Sequence, residues 1–173
     1  PLVSSHLDTD NQEIKDSLLF LFRYTLGYLS DSQNTEIRDF IFRIIEEGSD
    51  LDKIKALAAY KGNGFRSNEK ECVEFIELLA DDDIVLRKFA ADVLANNEYD
   101  ATKLVLYNFI QQEKYLDPLA SAICTLCKID PVFTETIIDN VWEIDAIEKL
   151  DNSTEKDDKI FYTDVLERVG TYK

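Results

Sequence analysis

Residues 73–96, VEFIELLADDDIVLRKFAADVLAN, constrain the fold more than any other stretch of this chain. An apolar run with helical spacing ends in Leu78-Leu79, and a tight acidic turn follows at Asp81-Asp82-Asp83. A second amphipathic run carries Leu86, Ala90, Ala91 and Leu94. Two helices joined by so short a turn lie antiparallel, and small residues where they meet let their backbones approach closely. Such a pair rarely stands alone, because each pair needs neighbours to cover its apolar face.

A degenerate internal period agrees. Ile54, Leu86 and Pro118 are spaced by 32 residues, as are Ala58, Ala90 and Ala122. Phe40 and Cys72, Ile41 and Val73, and Ile44 and Ile76 share that step. An Ala is wanted where the second helix of a pair crosses the first, with larger apolar residues a turn away. The match has gaps: Pro118 is a poor counterpart of Leu86, and Arg87 aligns with Lys55 but then with Leu119.

Periodicity places helices at about 11–29, 36–47, 50–60, 68–80, 83–95, 101–113, 117–128 and 132–144, the last extended or restarted through Leu150, with a final one at 160–169. Residues 30–34 read as a polar link, 61–64 as a flexible loop, and 151–159 as a mobile link before the last helix. Gly48 reads as a helix stop, and Asp50 as the cap of the third helix. With only 5 Gly and 3 Pro in 173 residues, a turn-rich sheet protein is disfavoured. The length suits one domain, 1–173. The hydrophobic fraction of 45% is that of an ordinary folded protein.

Residues 73–96 resemble a HEAT-type repeat in the order Asp81, Asp83, Leu86, Arg87, Ala90, Leu94. Looser likeness extends over 36–62 and 104–128, about half the chain in all. The resemblance implies an all-α fold, a short right-handed α-solenoid of HEAT or armadillo type with about nine or ten helices. It also implies a concave groove lined by the second helix of each pair, and an Arg87 that pairs with an acid in the turn of a neighbouring repeat. A single irregular helical bundle is the other architecture the pattern allows.

Little of the chemistry of known enzymes can be assembled from these residues. Cys124-Thr-Leu-Cys127 would put two thiols on one helical face. A zinc site wants four ligands, however, and only Cys72 and the lone His6 remain. Three cysteines do not form a disulfide framework and read as reduced core residues. The di-iron hydroxylases of HEAT type carry His-Glu pairs, whereas His6 is followed by Leu7. The alkylpurine glycosylases of that type need a basic groove. Gly62-Asn63-Gly64 lacks the Lys and Ser or Thr of a phosphate loop. The expectation is no enzyme, no metal and no cofactor.

The net charge of −16 is the strongest functional lever. It opposes nucleic acid and anionic membranes and favours fast, salt-sensitive capture of a basic protein. No apolar stretch approaches the length of a membrane span, and nothing at the start reads as a signal peptide. The three cysteines, read as reduced, lead to the expectation of a reducing compartment, the cytoplasm. Glu69, Glu71, Glu74 and Glu77 read as a solvated face of the fourth helix. Acids with embedded aromatics are better candidates for binding, because Tyr and Trp supply contact area while carboxylates meet Arg and Lys. These are Asp92, Glu98, Tyr99 and Asp100, and Asp139, Trp142, Glu143 and Asp145. Two functions fit. One is an inhibitor or immunity protein that neutralises a basic partner such as a bacterial nuclease toxin. The other is a scaffold or adaptor fragment of a larger assembly, to which the apolar Phe20, Phe22 and Tyr24 of the first helix would lend a surface.

Overall fold

The computed structural model describes residues 7–24, 30–97 and 101–141. They are all-α, with eight helices: α1 (Gln12–Phe22), α2 (Asp31–Glu47), α3 (Asp50–Gly62), α4 (Glu69–Leu78), α5 (Ile84–Val93), α6 (Ala101–Gln112), α7 (Leu116–Ile129) and α8 (Pro131–Val141). Among the described residues there is no strand, and a single β-type bridge joins Ser67 to Asn97. The expected helix at 160–169 and the link at 151–159 lie outside the described residues. The chain divides into two compact units, residues 1–99 and 100–173.

In the first unit α3 is the hub. It packs against α1, α2 and α5, and α4 packs against α5. Residues Ala56 to Tyr60 are all buried, so this stretch of α3 is covered all round. Ala56 and Ala59, both fully buried, keep that part of the helix thin enough for several neighbours. Larger side chains fill the remaining space. Phe22 meets Phe40 edge to face at 6.0 Å, Phe42 meets Phe75 at 6.2 Å, and Tyr60 meets Phe75 at 5.1 Å. Burying a side chain of this size contributes roughly 1.5–3 kcal/mol.

Three local expectations change. The polar run at 30–34 is the first turn of α2, not a link. Ser30 is the N-cap and Gln33 reaches back to it, a reciprocal capping box that satisfies otherwise orphaned backbone N–H groups. Ser49, not Asp50, caps α3. The stretch 61–64 is not a loose loop either. The helix runs through Gly62, and Asn63 is buried with its side-chain amide donating to the carbonyls of Phe22 and Ala59. A Cβ on Gly62 would sit 2.4 Å from the Arg23 carbonyl oxygen, so the end of α1 rests directly on glycine backbone. Gly64 has φ 60°, the left-handed conformation that ends such a turn. The same contact marks where α1 stops. The expected first helix ran on to Leu29, but α1 ends at Phe22 with Arg23 as C-cap, and 25–29 lie outside the described residues.

Two other local readings stand. Gly48 is the C-cap of α2, and Asp83 caps α5 by accepting from the backbone N–H groups of Val85 and Leu86. Asp81 accepts from the N–H of Asp83, and Arg87, expected to pair with an acid in a neighbouring repeat's turn, donates to the backbone carbonyls of Asp81 and Asp82 in the turn before its own helix at 2.8 and 3.0 Å. The acidic turn is thus tied to the helix it precedes.

In the second unit α7 packs against both α6 and α8. Its middle is buried nearly all round, with Leu119, Ala120, Ser121, Ala122, Ile123, Thr125, Leu126 and Cys127 all covered. Pro118 lies in its first turn, where a missing N–H costs nothing. Asp130 precedes Pro131 and accepts from the Phe133 N–H at 2.9 Å, opening α8. The spaced alanines Ala58, Ala90 and Ala122 are all buried, whereas Val73 is 40% exposed and departs from its partner Ile41, fully buried.

Candidate functional site

The helices of the first unit differ in charge, while Asp8, Asp10, Asp81, Asp82 and Asp83 lie in the segments between and before them. Helices α2 and α4 carry Asp31, Glu36, Asp39, Glu46, Glu47, Glu69, Glu71, Glu74 and Glu77 against Arg38, Arg43 and Lys70. Helices α1, α3 and α5 carry Glu13, Asp16, Asp50, Asp52 and Asp92 against Lys15, Lys53, Lys55, Lys61, Arg87 and Lys88. The excess negative charge of these helices therefore sits on α2 and α4, while the other three are close to neutral.

A buried clasp fastens α2 to α4 beneath that charge. Glu71 was expected on a solvated face, but it is 3% exposed. The capping box explains this: as the third residue after Asn68, Glu71 turns back to accept from the Asn68 N–H at 2.8 Å. Its carboxylate then lies within reach of Arg38, whose Nε donates to Oε1 at 2.7 Å and whose Nη2 donates to Oε2 in a bidentate pair. Arg38 also donates to the Arg66 carbonyl. Tyr60 donates toward Glu71 Oε2 and lies 3.2 Å from Ser67 Oγ. Burial pushes the Tyr60 phenol well above its ordinary pKa, and the bond to Glu71 holds the Arg38 proton more firmly still. A second tie, at the surface, joins Lys70 to Glu46 at 2.7 Å, with the ammonium 5.0 Å from the Phe42 ring centre.

Outside these ties Asp39, Glu47, Glu69 and Glu77 are exposed and make no ion pair among the described residues, and Glu74 is half-buried beside them in sequence. Rigid helices holding carboxylates without local counter-ions can offer them to a cationic surface at little ordering cost.

The sequence-predicted binding residues fare unevenly. Asp92 is engaged within the fold: its carboxylate takes Lys61 Nζ at 2.7 Å, linking α5 to α3, and its side chain is 13% exposed. Asp139 lies on α8 with its side chain outside the description, and Glu98, Tyr99, Asp100, Trp142, Glu143 and Asp145 lie outside the described residues. The cysteines are free thiols. Cys72 and Cys127 are buried and Cys124 is half-buried. Burial, helped by Glu71, pushes the Cys72 thiol up to about 11. Among the described residues no group of His, Cys, Asp and Glu could hold a metal ion, and no helix is long and apolar enough to cross a membrane.

The sequence reading missed the Arg38–Glu71 clasp and the charge division. The Asn68-x-x-Glu71 spacing could have flagged the first, since a capping-box glutamate is turned toward the protein. The second needed the knowledge that α2 and α4 are fastened to each other.

No family model, curated protein or solved structure matches the chain.

Proposed function

We propose that this chain is a non-catalytic protein-binding module of HEAT or armadillo type, and that it acts as an inhibitor or immunity protein by capturing a basic partner such as a nuclease toxin. The observation that carries the reading is the concentration of carboxylates on α2 and α4. Carboxylates in that density occupy the positions a nucleic-acid-binding partner reserves for phosphates, and they speed encounter with it. The solenoid architecture draws support from the hub role of α3 and from the buried Ala58, Ala90 and Ala122 at a 32-residue step. The acids around Tyr99 and Trp142, with Asp92 and Asp139, are proposed as further contacts.

Affinity capture from the native source tests the function. The chain is expected to retain a basic protein, and a variant with Asp39, Glu74 and Glu77 changed to Lys is expected to lose it. Reversal at Asp100 and Glu143 asks the same of the second cluster. Retention of a neutral or acidic partner, or of a basic one by every reversed variant, would contradict the reading.

A scaffold role within a larger assembly is the second reading. It is favoured by exposed apolar residues on and beside α1, namely Phe20 (69% exposed), Leu21 and Tyr24, although the expected Phe22 is buried in the core.

A further inference from the structure

A groove of about 290 Å³ runs between α1, α3 and α5. Leu19, Ile54 and Ala58 line it, with Phe20 on the α1 side and Phe89 on the α5 side. Each side sets a cation beside an aromatic ring. Phe20 stacks edge to face on Tyr24 at 5.8 Å, with the Arg23 guanidinium 5.9 Å from the Tyr24 ring centre, and Lys88 Nζ lies 4.8 Å from the Phe89 centre. The carboxylate in the lining, Asp16, is already neutralised, since Lys55 Nζ donates to both its oxygens at 2.7 and 2.8 Å. Arg23 and Lys88 make no ion pair among the described residues. An apolar groove flanked by cations contrasts with the net charge of −16 and with the carboxylates of α2 and α4. A basic partner would meet like charge there, and an apolar surface without charge would leave both cations unanswered.

We propose that this groove docks an acidic amphipathic helix of a partner protein, seating a bulky apolar side chain over Leu19, Ile54 and Ala58 while flanking carboxylates meet Arg23 and Lys88. The mode is helix-in-groove, with apolar anchors on one stripe and specificity from the charges beside it. The chain's overall field repels such a peptide at long range. At physiological salt the screening length is about 8 Å, so the local cations decide the contact. The surface is separate from the carboxylates of α2 and α4, and its occupant is opposite in charge.

The test uses the full chain with isotope-labelled methyl groups and two synthetic helical peptides. Both peptides carry the same Leu and Phe stripe; one is flanked by Glu and the other by Lys. At physiological salt the Glu peptide is expected to shift the Leu19, Ile54 and Ala58 methyl signals saturably, with a Kd on the order of 10⁻⁴ M. The Lys peptide is expected to shift those signals at least about tenfold less tightly, the equivalent of 1.4 kcal/mol. Arg23→Glu with Lys88→Glu should reverse the preference. Both residues lie outside the core, and circular dichroism would verify that the variant keeps its helices. Equal affinity for the two peptides, preference for the Lys peptide, unmoved groove methyls, or shifts that follow protein concentration without peptide would each overturn the proposal, the last by assigning the groove to a second copy. Failure here leaves capture of a basic partner by α2 and α4 standing, because that reading is scored at other residues with a cationic partner.

Discussion

Glu71 shows how much one side chain can do in this fold. It closes the capping box of α4, anchors Arg38 from α2 and takes the Tyr60 hydroxyl from α3. Glu71→Ala should therefore cost about 2–4 kcal/mol in urea unfolding, below the full penalty for breaking a buried pair because the Arg38 side chain is 28% exposed. Glu71→Gln keeps the cap and one acceptor and should cost about half as much. If Ala and Gln cost the same, the clasp is not organised as described. The network was only half legible in the sequence. Asn68 and Glu71 lie three residues apart, but Arg38 is 33 residues from its partner, and no local pattern ties them together.

Shifted thiols and carboxylates should make the stability of the fold depend on pH. Cys72 ionises near 11 in the folded chain against 9.0 when unperturbed. Between those values the unfolded chain has lost a proton that the native thiol keeps, so stability should fall as pH rises through that window. Cys72→Ala should flatten the alkaline fall, even though it removes some packing. At pH 8 a thiol reagent should modify Cys124 first and reach Cys72 and Cys127 only on unfolding. The acid side has the opposite sign. Ser49 and then Gln12 donate to Asp52 and hold its carboxyl below 3.8, while Lys103 does the same for Asp130. Stability from these groups is present above pH 3.8 and is lost as pH falls through their lower folded values. Asp52→Asn should shallow that acid limb; an unchanged limb would show that other carboxylates dominate it.

Among the elements, helix periodicity was read correctly wherever a 3.6-residue apolar pattern ran unbroken, as in α4 and α5. The errors fell at ends. Residues 31–35 are polar because the first turn of α2 needs capping and solvent contact, not because the chain leaves the helix there. Ser30→Ala should cost about 1 kcal/mol, read as a drop in melting temperature. Gly62 and Asn63 looked like a loose loop because their constraint comes from a distant element, the end of α1. Gly62→Ala would drive a methyl into the Arg23 carbonyl and should cost about 1–3 kcal/mol, a strain that a flexible loop would not register. Ala90→Leu tests the crossing of α5 in the same way. Ala90 is fully buried, and overpacking there should cost about 1–3 kcal/mol.

For the molecule as a whole, composition carried the sign of the charge and could not carry its distribution. A net −16 is compatible with carboxylates spread evenly over every surface. The division between α2 with α4 and α1 with α3 and α5 appears only once the sequence-distant ties Arg38–Glu71 and Lys70–Glu46 join α2 to α4. Asp92, chosen from sequence for its acidic and aromatic neighbours, spends its charge on Lys61 inside the fold. Glu69, Glu74 and Glu77 of α4, expected as a solvated face, are with Asp39 of α2 the groups proposed to meet a basic partner. The most direct check is amide-shift mapping of the full chain titrated with a Lys- and Arg-rich peptide at low and physiological salt. Shifts should gather on α2 and α4, around Asp39, Glu69 and Glu77, and affinity should fall as salt rises. Shifts spread equally over α1, α3 and α5, or binding indifferent to salt, would contradict the proposed capture of a basic partner.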